Sequence, residues 1–103
     1  MKLTAEQRER ITRNRRIMAP RQHWPEGAVE ACEKLEQEFP AFEVDWFPRN
    51  RSARTHFSRE PGFYAWREGE NPGQMWGDTW HGRQEWYGAT PEELANEVRD
   101  TGF

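Results

Sequence analysis

The sequence predicts an α+β fold: a small antiparallel sheet of three or four strands, covered on one face by two helices and preceded by a basic N-terminal helix. Three observations carry this. Apolar residues recur at helical spacing in 28–39 and again in 94–98. Aromatic and apolar residues alternate in "FEVDWF" and "GFYAWRE", the period of a strand. Proline- and glycine-bearing segments separate these runs. Residues 1–20 are expected as a basic arm, and residues 21–103 as a single domain, the size that this length allows.

The elements follow in order. Thr4 and Gln7 form a capping-box pattern at the start of the first helix. Leu3, Gln7, Ile11, Asn14 and Met18 make its stripe, and two of these five are amides. Such a helix packs loosely on its own domain, and Pro20 is expected to end it. The second helix is expected over 25–39, with Pro25 at its first position. Ala28, Cys32, Leu35 and Phe39 form a clean stripe, and Pro40 terminates it. Phe42, Val44 and Trp46 then alternate with Glu43, Asp45 and Phe47 as a half-buried strand. "PRNRSARTH" is a basic loop. In the next strand Phe63 and Ala65 lie on one face, Tyr64 and Trp66 on the other. "QMWGDTW" and "QEWYG" flank a hairpin turn at Gly82. Thr90, Pro91 and Glu93 mark the start of the last helix, Leu94 and Val98 its thin buried face, and Gly102 its end.

Composition narrows the function classes. The hydrophobic fraction is 34% and the mean hydropathy is -1.21, both low for a globular chain. Six Trp, six Phe and two Tyr compensate, because each aromatic ring buries roughly 150–250 Å². One cysteine, Cys32, rules out an internal disulfide, and it lies on an apolar stripe as a small hydrophobe. No apolar run reaches the roughly 18 residues of a membrane span, so no membrane association is expected. The N-terminus has no apolar leader, and a cytoplasmic location is expected. The net charge of -3 hides four blocks: +5 over 1–21, -6 over 26–45, +4 over 49–67 and -6 over 68–103. Complementary blocks of this kind favour protein association and set its register.

The segments "LEQEFPAFEVDWF", "GFYAWRE" and "ATPEELANEV" share a pattern: a helix ending in aromatic-proline, aromatic strands and a threonine-capped final helix. In this the chain resembles a group of short α+β proteins of high-GC bacterial genomes with no known activity. The resemblance covers about two-thirds of the chain and implies a compact α+β domain. The order α-β-β-β-α is also similar to that of double-stranded RNA-binding domains. Those domains start their last helix with basic groups, whereas here it carries Glu92, Glu93, Glu97 and Asp100.

These readings define the candidate residues. Arg8, Arg13, Arg15, Arg16, Arg21 and Trp24 are expected to contact a protein partner or a second copy of the chain. The expected role is therefore a non-catalytic protein-interaction or regulatory accessory module. The alternative is a nucleic-acid-binding regulator that adds Arg49, Arg51, Arg54 and Arg59 to the same arginines, since guanidinium groups suit phosphate oxygens. A third reading is a Trp-lined small-ligand site, with Trp66, Trp76 and Trp80 as exposed aromatics. His23, His56 and His81 lack metal-ligand spacing, and Asp78, His81 and Glu85 read as a polar turn. No glycine-rich phosphate loop or nucleophile motif is present, so no enzyme, metal or cofactor is expected.

Overall fold

The computed structural model describes residues 2–49, 60–71 and 84–102. Their order is α1 (Ala5–Arg21), α2 (Ala28–Glu38), β1 (Phe42–Phe47), β2 (Gly62–Arg67), β3 (Trp86–Gly88) and α3 (Pro91–Thr101). Among the described residues three strands pair antiparallel in the order β1-β2-β3. The fold is α+β, as the alternation and the helical stripes require. The first arm of the expected 74–88 hairpin and residues 50–59 of the basic loop lie outside the described residues.

Strand register sorts the side chains between two faces. Val44 pairs with Ala65 and Ala65 with Trp86, so the three share a face with Phe42, Trp46 and Phe63. That face packs on Ala28, Cys32 and Leu35 of α2, on Phe39 at its C-cap, and on Leu94, Ala95 and Val98 of α3. Phe42 sits edge-on to Trp86 with ring centroids 5.1 Å apart, which ties the two outer strands across the sheet. Trp24 tilts against Trp46 at 6.0 Å and closes the end of this core.

The opposite face was expected to be open, with Trp66 exposed, but much of it is buried. Tyr64 and Trp66 stack at 6.2 Å, Phe47 meets both edge-on, and Tyr87 meets Tyr64 at 4.9 Å. Trp66, expected as an exposed aromatic, is 0% exposed and donates its indole N–H to Glu85. Its ring is thus core to a second aromatic layer and not a platform for a ligand. Glu43 and Asp45 of the same face are buried as well.

The helix ends follow local chemistry. Gln7 N donates to Thr4 Oγ1 and Thr4 N to Gln7 Oε1, the expected capping box. Pro20 does not stop α1, which runs on to Arg21; Gln22 N and Trp24 N close it on Met18 O and Ala19 O. A proline in the last turn forgoes only one ladder bond. The second helix starts at Ala28 and not at Pro25, because Gly27 takes φ +80° and turns the chain into it. Thr90 Oγ1 accepts from Glu93 N as expected.

Gly88 lets α3 approach the sheet. A Cβ there would overlap the backbone nitrogen of Leu94 and come within 2.7 Å of its Cα. Gly88→Ala is therefore expected to destabilise by about 2–3 kcal/mol, since backbone cannot yield as a side-chain tip does. A urea midpoint indistinguishable from that of the parent chain would show that α3 sits further out.

Candidate functional site

One buried ion cluster fixes the position of α1. Ile11, Arg15 and Ala19 recur every four residues and, with Leu3 before the helix, form its buried face. The expected stripe ran instead through Asn14 and Met18, and both are exposed. The difference comes from Arg15, which is 3% exposed. Its Nε donates to Asp45 Oδ1 at 3.0 Å, and Nη1 and Nη2 donate to the two carboxylate oxygens of Glu36 at 2.9 and 2.8 Å. A planar fork satisfied on both edges is a geometry that only arginine offers. Burial disfavours the charge on Arg15, but Asp45 first and Glu36 second outweigh it and hold the guanidinium protonated above its ordinary range.

The cluster joins three elements. Asp45 accepts a second bond from Asn71 Nδ2 at 2.8 Å. Glu36 also accepts the N–H of Val44 at 3.0 Å, which caps an outward donor on β1, an outer strand of the described sheet. Glu43 lies alongside and accepts Gly69 N–H at 2.7 Å, while its Oε1 has no hydrogen-bond partner among the described residues. Burial pushes the Glu43 carboxyl up to about 7; the Gly69 N–H opposes this and the Asp45 and Glu36 charges reinforce it. A cavity of about 40 Å³ lies between Glu43, Glu36 and the α1 side chains Arg8, Ile11 and Thr12. Burial likewise raises the Cys32 thiol and keeps it neutral, in line with a packing role.

Arginines counted as partner contacts thus divide into two groups. Arg15 is buried, which corrects its assignment to a partner surface. Arg8 bonds Glu68 at 2.8 Å and the Pro40 carbonyl at 3.0 Å, and Arg16 bonds Glu33 at 3.1 Å. These pairs tie α1 to the acidic stretch that follows it and to the end of β2. The helix is held at several points along its length, not lightly anchored. Arg13 and Arg21 remain exposed, with no ion pair among the described residues.

The outward face is ordered by the same periodicity. Glu9, Arg13, Ile17 and Arg21 follow one another every four residues and so form a ridge roughly opposite Ile11, Arg15 and Ala19. Ile17 is 47% exposed, and Met18 on the neighbouring row is 38% exposed. Glu9, Thr12, Arg13, Arg16 and Ile17 line a shallow depression of about 430 Å³. The result is an apolar spot between two cations, with a carboxylate at its far end, none of the three in an ion pair among the described residues.

The remaining expected residues contribute little to this face. Trp24 is half-buried, with its N–H on Gln22. Arg49 is exposed and bonds Glu60 at 3.0 Å. Arg51, Arg54, Arg59, Trp76, Trp80, His56, Asp78 and His81 lie outside the described residues. Sequence reasoning missed Glu36, Asp45 and Ile17. The signal for the first two was the spacing of Ile11, Arg15 and Ala19, which places a cation on an otherwise apolar stripe and demands a buried acid opposite.

Comparison with protein-family models, with curated proteins and with solved structures gave no match to this chain. No helix among the described residues is long and apolar enough to cross a membrane. Among the described residues no three His, Cys, Asp or Glu side chains are grouped to hold a metal ion.

Proposed function

We propose that the chain is a non-catalytic protein-interaction module whose contact surface is the outward face of α1. The observation that carries this is exposed Ile17 set between Arg13 and Arg21, neither of which has an ion pair among the described residues, on a helix locked in place from behind. A buried apolar spot ringed by charge is the anatomy of a protein contact, and arginine beside an apolar anchor is a common source of its affinity. Rigid presentation lowers the ordering cost of binding. Support for the nucleic-acid reading falls as cations are neutralised within the chain: Arg8, Arg15 and Arg16 already face Glu68, Glu36, Asp45 and Glu33.

An NMR titration with an acidic amphipathic helical peptide, run beside one with a random DNA duplex, tests the proposal. The peptide is expected to move the amide signals of Arg13, Ile17 and Arg21, and Arg13→Glu to weaken it several-fold. Unmoved α1 signals would overturn the reading. Tight, steeply salt-dependent duplex binding through these arginines would replace it with the nucleic-acid one.

A further inference from the structure

We infer that the outward face of α1 docks on the same face of a second copy of this chain, with the two helices antiparallel. The inference rests on the interaction reading above and names its partner. One register of the ridge is self-complementary along its whole length. A two-fold axis midway between Arg13 and Ile17 sets Glu9 against Arg21 of the second copy at both ends of the contact. The same axis lays the stem of Arg13 over Ile17 of the second copy, twice. Moving the axis to Arg13 sets that cation against itself. Moving it to Ile17 sets Arg13 against Arg21. A parallel pair places every residue beside its own copy. An axis midway between Glu9 and Arg13 also pairs opposite charges, but it sets Ile17 against Ala5 and leaves Arg21 beyond the start of the other helix. Only the first register pairs both ends of the ridge and keeps Ile17 between them.

The helix geometry suits this. Glu9 and Arg21 are separated by about 18 Å along α1 at 1.5 Å per residue, so two ion pairs bracket a central apolar strip. Neither group has an ion pair among the described residues that docking would have to break. Neutralisation of Arg8, Arg15 and Arg16 within each copy removes most of the repulsion that two basic helices would otherwise feel. The contact is small, so the dimer is concentration-dependent.

Sedimentation equilibrium from about 5 to about 500 μM, the range a small transient interface demands, tests the inference. The wild-type chain is expected to dimerise. Glu9→Arg and Arg21→Glu, both at exposed positions, are each expected to weaken the dimer at least about tenfold by setting like charges opposite. An equal mixture of the two variants restores both ion pairs in the heterodimer and is expected to associate nearly as well as wild type. A monomer at every concentration, or a mixture no better than its components, overturns the inference. If the chain stays monomeric but the acidic peptide still binds α1, self-docking fails and the interaction module stands. If both fail, both readings fall.

Discussion

Arg15→Met is expected to lower the stability of the fold by about 3–5 kcal/mol. Methionine matches the length of the arginine stem, so little packing is lost. What is lost is a cation that faces Asp45 and Glu36 together. Removing one side of a buried ion cluster leaves the other side charged and uncompensated, and that penalty exceeds the worth of the attraction itself. Urea unfolding followed by far-UV circular dichroism measures it. The triple variant that adds Asp45→Asn and Glu36→Gln is expected to recover much of the loss, because no stranded charge remains. Arg15→Lys is expected to fall between, since an ammonium cannot bond both carboxylates in the plane of a fork. A loss below about 1 kcal/mol for Arg15→Met, the worth of an exposed pair, would mean that water reaches the cluster.

The second large effect is a fall in stability between about pH 5 and pH 8 that comes from Glu43. Its carboxyl titrates near 7 in the folded chain, against about 4.5 for an ordinary glutamate. The folded state therefore holds the proton more tightly than the unfolded state does. The resulting stabilisation is complete below pH 4.5 and is lost as the pH rises through about 7. The difference between those two values is worth about 3 kcal/mol. Glu43→Gln keeps an acceptor for the Gly69 N–H but cannot ionise. Its urea midpoint is expected to be flat across this window and higher than that of the parent at pH 8. Parallel pH profiles for the two proteins would show that Glu43 titrates like a solvated acid.

The two cases show which parts of the structure can be read from the sequence. Regular apolar spacing places α2, α3 and both long strands, because burying an apolar face is a local decision written in period. The capping residues Thr4 and Thr90 act within a few positions of themselves, and both ends are found where they point. Arg15 is different. Its burial depends on Glu36 and Asp45, 21 and 30 residues away, and only the fold brings the three together. A charged side chain read one at a time is assigned to solvent, so the stripe on α1 was drawn a position off. Trp66 fails for a related reason. Alternation correctly puts it opposite Ala65, but it cannot reveal that Phe47 and Tyr64 build a second buried layer there. Pro25 shows the limit of a local signal, since the left-handed Gly27 sets the start of α2. The outward ridge was legible in principle: once Ile11, Arg15 and Ala19 face in, Glu9, Arg13, Ile17 and Arg21 must face out.

Native-state hydrogen exchange of the α1 amides tests most directly whether the helix is locked to the body from behind so that its outer face can engage a partner. The amides of Arg15 and Ala19 are expected to exchange only with global unfolding, at the same free energy as those of β1 and β2. In Arg15→Met the same amides are expected to open ahead of the sheet. Exchange of α1 at the level of a fraying end in the wild-type chain, with the sheet still protected, would contradict the account.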